Sequence, residues 1–196
     1  ACQRQIDDLK RAETDAFPYY FDESAANHVC NFVELLPHTK GVWAKRGELL
    51  RLEPWQKFIL CTVFGWKRQV DGMRRFRLVY EEVARKNAKS TIMSAVALYM
   101  LAPDQEAGAE VYSAASKREQ AQIVFKAAQD MARKSPELQN RFGVEVMAHS
   151  IVARDLGGTF TALDGQGKSL DGLSVHLAIN DEKKKKKTRT VYDVLE

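Results

Sequence analysis

Arg85-Lys86-Asn87-Ala88-Lys89-Ser90-Thr91 stands between two segments of opposite pattern, and the way it joins them decides the fold class. Upstream, Phe76 to Ala84 alternates and is rich in β-branched and aromatic residues, which predicts a strand. Downstream, Ser90 to Leu101 is almost wholly apolar, which predicts a helix buried against a sheet. A strand that runs through a short basic turn into a buried helix belongs to an α/β protein. In such folds the helix N-terminus, with its unpaired N–H groups, suits an anion.

The turn itself carries chemistry. In the phosphate-binding loop G-x-x-x-x-G-K-[ST], glycines let backbone N–H groups wrap the phosphates. The lysine reaches the β- and γ-phosphates, and the hydroxyl sits on magnesium. Lys89 and Ser90 occupy the lysine and hydroxyl positions, whereas Val83 and Ala88 stand where glycines are usual. Arg85 and Lys86 add positive charge, and Asn87, Ala88 and Thr91 complete the candidate phosphate-binding set. The bland alternative is a basic loop whose Ser90 caps the helix.

Far downstream, Val175 to Ile179 reads as a buried strand, and Asn180-Asp181-Glu182 follows it with two adjacent carboxylates. Apolar residues leading into Asp-Glu suit a metal-assisted phosphoryl site. Asp181 is placed to hold magnesium through water, and Glu182 to orient and deprotonate the attacking water. The alternative is a strand ending in a solvated acidic turn. A lysine–hydroxyl turn upstream of an acidic strand end is what a magnesium-dependent nucleotide site needs.

Between and around these segments the chain reads as follows. Residues 1 to about 30 look helical with a break at Pro18, and Asn31 to Leu36 continues that pattern to Pro37. Pro37 to Gly41 is a turn, and Pro54 opens an apolar helix from Trp55 to about Trp66. Lys67 to Met73 is a polar loop with an Asp71-Gly72 turn. Ala109 to Ala115 is a second strand, and Lys117 to Lys134 is a helix with Ala121, Val124, Phe125, Ala128, Met131 and Ala132 at helical spacing. Three short strands follow at Val144–Met147, Ser150–Arg154 and Thr159–Leu163, then a loop at Gly165 to Ser169. Strands alternating with helices predict an α/β architecture with a mostly parallel central sheet.

Composition excludes several classes. With 45% hydrophobic and 29% charged residues, the 196-residue chain suits a soluble domain with one sizeable core. No apolar run approaches the roughly 20 residues that span a bilayer, and no secretory leader pattern is present. Because residue 1 is alanine, a native initiator is expected to precede it. Cys2, Cys30 and Cys61 are widely spaced and lack zinc-site spacing, so reduced thiols are expected, with Cys61 a small core residue. Of the net charge of +4, five positive charges sit in Lys183 to Lys187, and the remainder is slightly acidic. Whole-chain charge therefore does not argue for nucleic acid.

With both segments in place, the chain from about Leu36 onward resembles the ATPase domain of the large terminase subunits of tailed bacteriophages, the motors of DNA packaging. Leu36 to Trp43 looks like that family's lead-in, Leu52-Glu53-Pro54-Trp55-Gln56-Lys57 like its adenine-contacting segment, and Ala84 to Ser90 like its deviant phosphate loop. Tyr112 to Ser116 with Gln120-Ala121, and Ser169 to Leu173, are similar as well.

The resemblance implies an α/β P-loop NTPase fold with its sheet flanked by helices. A helical lead-in or lid over residues 1–50 would precede an ATPase domain over residues 51–196. It implies ATP and magnesium as ligands and Gln56 on adenine. Lys89 and Ser90 would lie on phosphate and metal, Asp181 on the metal, Glu182 would act as catalytic base, and Arg85 at the γ-phosphate. It further implies work on double-stranded DNA with a portal protein and a small terminase subunit. The assembly would be a homo-oligomeric ring, a pentamer, in the host cytoplasm without membrane attachment. One subunit would supply a cation to its neighbour's site, with Arg118, Arg141, Arg154 and Lys168 as candidates. The five lysines after Glu182 depart from the family's mixed pattern, and a C-terminal endonuclease domain is expected beyond Glu196. A helicase-like translocase, or a non-catalytic nucleotide-binding assembly module, remains as an alternative; Val83 and Ala88 favour the latter.

Overall fold

The computed structural model describes residues 1–14, 16–115, 118–163 and 174–180. In chain order these form α1 (Cys2–Arg11), β1 (Tyr19–Phe21), α2 (Glu23–Glu34), α3 (Gly41–Lys45), α4 (Pro54–Gly65), β2 (Trp66–Arg68), α5 (Lys89–Leu101), β3 (Glu110–Ala114), α6 (Arg118–Arg133), α7 (Pro136–Phe142), β4 (Val144–Val146), β5 (Ser150–Ala153), β6 (Gly158–Leu163) and β7 (Val175–Asn180). They fall into two compact units, one of residues 1–35 and 50–84, the other of residues 36–49 and 85–196. Residues 50–84 thus fold with the N-terminal segment, whereas the sequence places a boundary near residue 50.

In the first unit α2 packs on α4, burying Ala26, Val29, Cys30 and Val33 with Leu60 and Phe64. Asp22 starts α2 by accepting the Ala25 N–H at 2.9 Å. Its other oxygen accepts from Lys67 Nζ at 2.7 Å, and that bond holds the Asp22 carboxyl below its ordinary pKa. Pro54 occupies the first turn of α4, as expected. β1 and β2 pair antiparallel, with Tyr19 opposite Arg68 and Phe21 opposite Trp66. Trp66 is fully buried, lies edge-on to Phe17 and Phe21, and donates its Nε1–H to Gln5 Oε1 at 2.7 Å. The buried Asp8 carboxylate is neutralised by Arg75 at 2.7 Å and Arg11 at 3.2 Å.

The expected strand over Phe76 to Ala84 is not formed: among the described residues no strand covers these positions, and Leu78, Val79 and Tyr80 are exposed. Alternation assigns side chains to two faces, but a strand also needs a ladder neighbour, and neither sheet includes this segment. β1 falls within residues read as helical and β2 within residues read as a helix end and a polar loop, while α3 and α7 had no prediction; each of the four is seven residues or shorter, too short for a clear periodic signal.

The second unit is built on a five-stranded sheet in the order β4-β5-β6-β3-β7. β3 runs parallel to both β6 and β7, while β4 opposes β5 and β5 opposes β6. β4 therefore points the same way as β6, and β5 alone runs against the rest, so the sheet is mostly parallel. Central β3 is buried from Val111 to Ala114, as a strand covered on both faces must be. α5 and α6 pack on each other and on the sheet. α6 contributes Ala121, Val124, Phe125, Ala128, Met131 and Ala132, all buried at the predicted spacing. Gly158 opens β6 where a Cβ would lie 3.1 Å from the Leu101 carbonyl oxygen, so a larger residue would push this strand off the end of α5. Among the described residues no helix is long and apolar enough to cross a membrane.

Candidate nucleotide site

Residues 85–88 form an exposed turn that leads into α5. Two of its residues hold the left-handed backbone conformation: Lys86 at φ 69° and Ala88 at φ 58°. For an L-residue with a Cβ this conformation costs about 1–2 kcal/mol. Ala88 is the position that a phosphate-binding loop normally gives to its second glycine, and here the backbone takes that geometry although the side chain disfavours it. Ala88 is also the N-cap of α5, makes no side-chain cap hydrogen bond, and is followed by a first turn without acidic residues. With no side-chain cap from Ala88 and no acidic residue in its first turn, the positive dipole end of α5 suits an anion. The residues present therefore fit a polyphosphate.

Ala88→Gly tests this backbone. It is expected to raise the free energy of unfolding by about 1 kcal/mol, since glycine enters the left-handed region freely. Urea denaturation of the two proteins measures the difference. A loss of stability would show that glycine's extra freedom in the unfolded chain outweighs the relief of left-handed strain at this exposed position.

The first turn of α5 is tied down from beneath. The fully buried Ser94 sets its Oγ 2.6 Å from the Ser90 carbonyl oxygen and 2.8 Å from that of Val124 in α6. This hydroxyl links the two helices one turn after the basic residues, so Lys89 and Ser90 sit on a braced platform.

The sheet's topology relates this platform to the acidic strand. After α5 the chain turns through residues 102–109 into β3, so the C-terminus of α5 lies at the end of the sheet where β3 begins. Its N-terminus therefore lies toward the strands' C-terminal ends. β7 is parallel to β3, with Ala114 opposite Asn180, and finishes at that same end. A second contact fixes the direction independently: His176 Nε2, near the start of β7, is 2.9 Å from Asp104 Oδ2, just past the end of α5. The start of β7 is thus tied to the tail of α5, and its end points toward the head. Glu110 reinforces the starting edge by accepting at Oε2 from Ser174 N–H and from Tyr112 Oη–H, both at 2.9 Å. Burial, together with that carboxylate, pushes the Tyr112 phenol up to about 12.

Asp181 and Glu182 follow Asn180 directly in sequence and lie outside the described residues, as do Lys168, Ser169 to Leu173 and the five lysines. Of the other cations considered as fingers, Arg154 is ion-paired with Glu145 at 2.6 Å, and Arg141 lies over the Phe142 ring. Arg118 opens α6. Gln56 belongs to the first unit, is buried, and accepts the Glu53 N–H at 2.9 Å through Oε1. Its carboxamide thus closes the first turn of α4, a role that an adenine-contact assignment alone overlooks. The His176–Asp104 pair was also missed; its members are 72 residues apart, and no local signal links them.

Residues 54–195 match the family described as the terminase large subunit, ATPase domain. The chain is 30% identical over 137 residues to the terminase large subunit of Enterobacteria phage HK97, across 69% of this chain and 26% of the phage protein. Its fold matches the crystal structure of the HK97 bacteriophage large terminase with a TM-score of 0.65 at 28% identity, across 80% of this chain and 31% of that one. The α/β architecture expected from the sequence is thus that of a terminase ATPase. The chain spans between a quarter and a third of the length of these relatives.

Proposed function

The chain belongs to the terminase large subunit ATPase domain family, and on that premise we propose that it hydrolyses ATP as the motor that drives double-stranded DNA into a viral procapsid. The observation that carries this reading is the left-handed, uncapped turn at Ala88, heading α5 at the sheet edge where β7 ends. In this reading residues 51–196 make up the ATPase part and residues 1–50 a lead-in, with residues 50–84 packing against the lead-in.

In this reading the backbone N–H groups after Ala88 and the Lys89 ammonium hold the β- and γ-phosphates, with Arg85, Lys86, Asn87 and Thr91 lining the turn. Ser90 and Asp181 hold magnesium, which when bound neutralises charge on the phosphate oxygens as a Lewis acid. Glu182 accepts a proton from the water it orients, and Arg85 faces the γ-phosphate. The Gln56 oxygen is engaged by the Glu53 N–H, so adenine recognition would fall to its Nε2 group. These are positioning and charge-neutralising roles, which supply most of the catalysis in phosphoryl transfer.

The partners that go with this activity are duplex DNA, a portal protein, a small terminase subunit and further copies in a pentameric ring, in the host cytoplasm. An endonuclease domain belongs to the longer protein. DNA would be held through its phosphates, without sequence preference and with strong salt dependence.

The test is packaging itself. The full-length protein, mixed with portal-bearing procapsids, linear duplex and ATP, is expected to render DNA resistant to nuclease, and not to do so with a non-hydrolysable analogue. Strand separation without protection would point instead to a helicase-like translocase. Nucleotide binding without turnover would point to a non-catalytic assembly module. That second rival rests on Val83 and Ala88, and the Ala88 conformation weighs against it, because the turn is formed without glycine.

A further inference from the structure

We propose that Cys30 and Cys61 form a reversible dithiol–disulfide pair that staples α2 to α4. The two thiols lie on facing helices of the first unit, with Sγ atoms 3.6 Å apart, the distance of a thiol–thiol contact. Both cysteines are free in this structure. A disulfide needs about 2.05 Å between sulfurs, so closure asks for roughly 1.5 Å of approach, within reach of side-chain rotation and a small helix shift. The third cysteine, Cys2, is exposed near the N-terminus and takes no part in this contact.

The two thiols differ in a way that sets the order of events. Cys30 is buried, and burial with the adjacent Cys61 thiol pushes its pKa up to about 12. It is therefore protonated and a poor first target. Cys61 is half-buried and the more accessible to an oxidant of the hydroperoxide class. Hydrogen peroxide transfers one oxygen to Cys61, giving the sulfenic acid and one water. The Cys30 sulfur then attacks the Cys61 sulfur, the S–O bond breaks, and the hydroxyl leaves with the Cys30 proton as a second water. Overall, two thiols are oxidised to one disulfide and one peroxide is reduced to two waters. A dithiol reductant reverses the change by exchange. Closing the chain between positions 30 and 61 restricts the unfolded ensemble, so the oxidised form gains stability.

The experiment uses the whole chain carrying Cys2→Ser, treated with hydrogen peroxide and then with dithiothreitol. The expected results are a loss of two hydrogens by intact mass, a cross-linked Cys30–Cys61 peptide on proteolysis, and a thermal midpoint that rises on oxidation and falls back on reduction. Cys30→Ser should abolish the mass loss and leave a Cys61 sulfenic acid that dimedone traps. Peroxide that yields only sulfinic or sulfonic adducts, or a disulfide between two chains, overturns the proposal. So does full alkylation of both thiols after peroxide. The peptide map needs no variant at positions 30 or 61, so the test stands even where a substituted chain folds poorly.

Discussion

Glu182→Gln is expected to lower ATP turnover by about 10²–10⁴-fold, the range that a positioned general base contributes. Nucleotide affinity should stay close to that of the parent. Glutamine keeps the size and hydrogen-bonding reach of glutamate, so it can still contact the attacking water. It cannot take the proton, and it removes one negative charge beside Asp181. The two effects separate cleanly: phosphate release reports turnover, and a fluorescent ATP analogue reports binding. Loss of binding along with turnover would mean that Glu182 helps to hold the metal. Unchanged turnover would move the base to another residue and leave the acidic strand end without the role assigned to it.

The elements around that strand end differ in how openly their sequence discloses them. α5 and α6 were legible because burial on a helix leaves a three-to-four-residue rhythm, and their observed bounds, Lys89–Leu101 and Arg118–Arg133, follow it closely. The parallel strands β3 and β7 were legible as short apolar runs beside turn residues. Phe76 to Ala84 carries the same kind of pattern without forming a strand, because pattern reports side-chain preference and says nothing of a partner. The β1–β2 pair failed in the other direction. Its three-residue strands are held by Phe17 and Phe21 against Trp66, which lies far from both in sequence and meets them only in the fold.

At the candidate site the contrast is sharper. Lys89 and Ser90 could be proposed from residue type alone. The backbone at Ala88 could not, since alanine advertises helix and not a left-handed turn. Only its place in the loop pattern, where glycine is usual, marks it out. The site's orientation was likewise hidden, because it depends on His176 meeting Asp104 across the sheet end and on β7 lying beside β3. Long-range pairing of this kind has no local periodicity to betray it. The Cys30–Cys61 contact is a further case, in which two helices bring together thiols 31 residues apart.

Lys89→Ala is expected to cost more in binding than any other single change in the turn. Hydrogen bonds to charged groups contribute about 1.5–3 kcal/mol, which corresponds to nucleotide affinity weakened roughly 10–150-fold. Turnover should fall further, by about 10²–10³-fold, because charge grows on the γ-phosphoryl oxygens as the bond breaks and the ammonium then contributes more than it does in the ground state. Lys89→Arg preserves the charge but presents a wider, planar group, so it should recover part of the binding and little of the turnover. Equilibrium titration with the ATP analogue, alongside single-turnover hydrolysis at saturating nucleotide, separates the two effects. Equal losses in both would mean that Lys89 only anchors the nucleotide. No loss in either would remove the phosphates from the head of α5, and with them the reason for an alanine to hold φ at 58°.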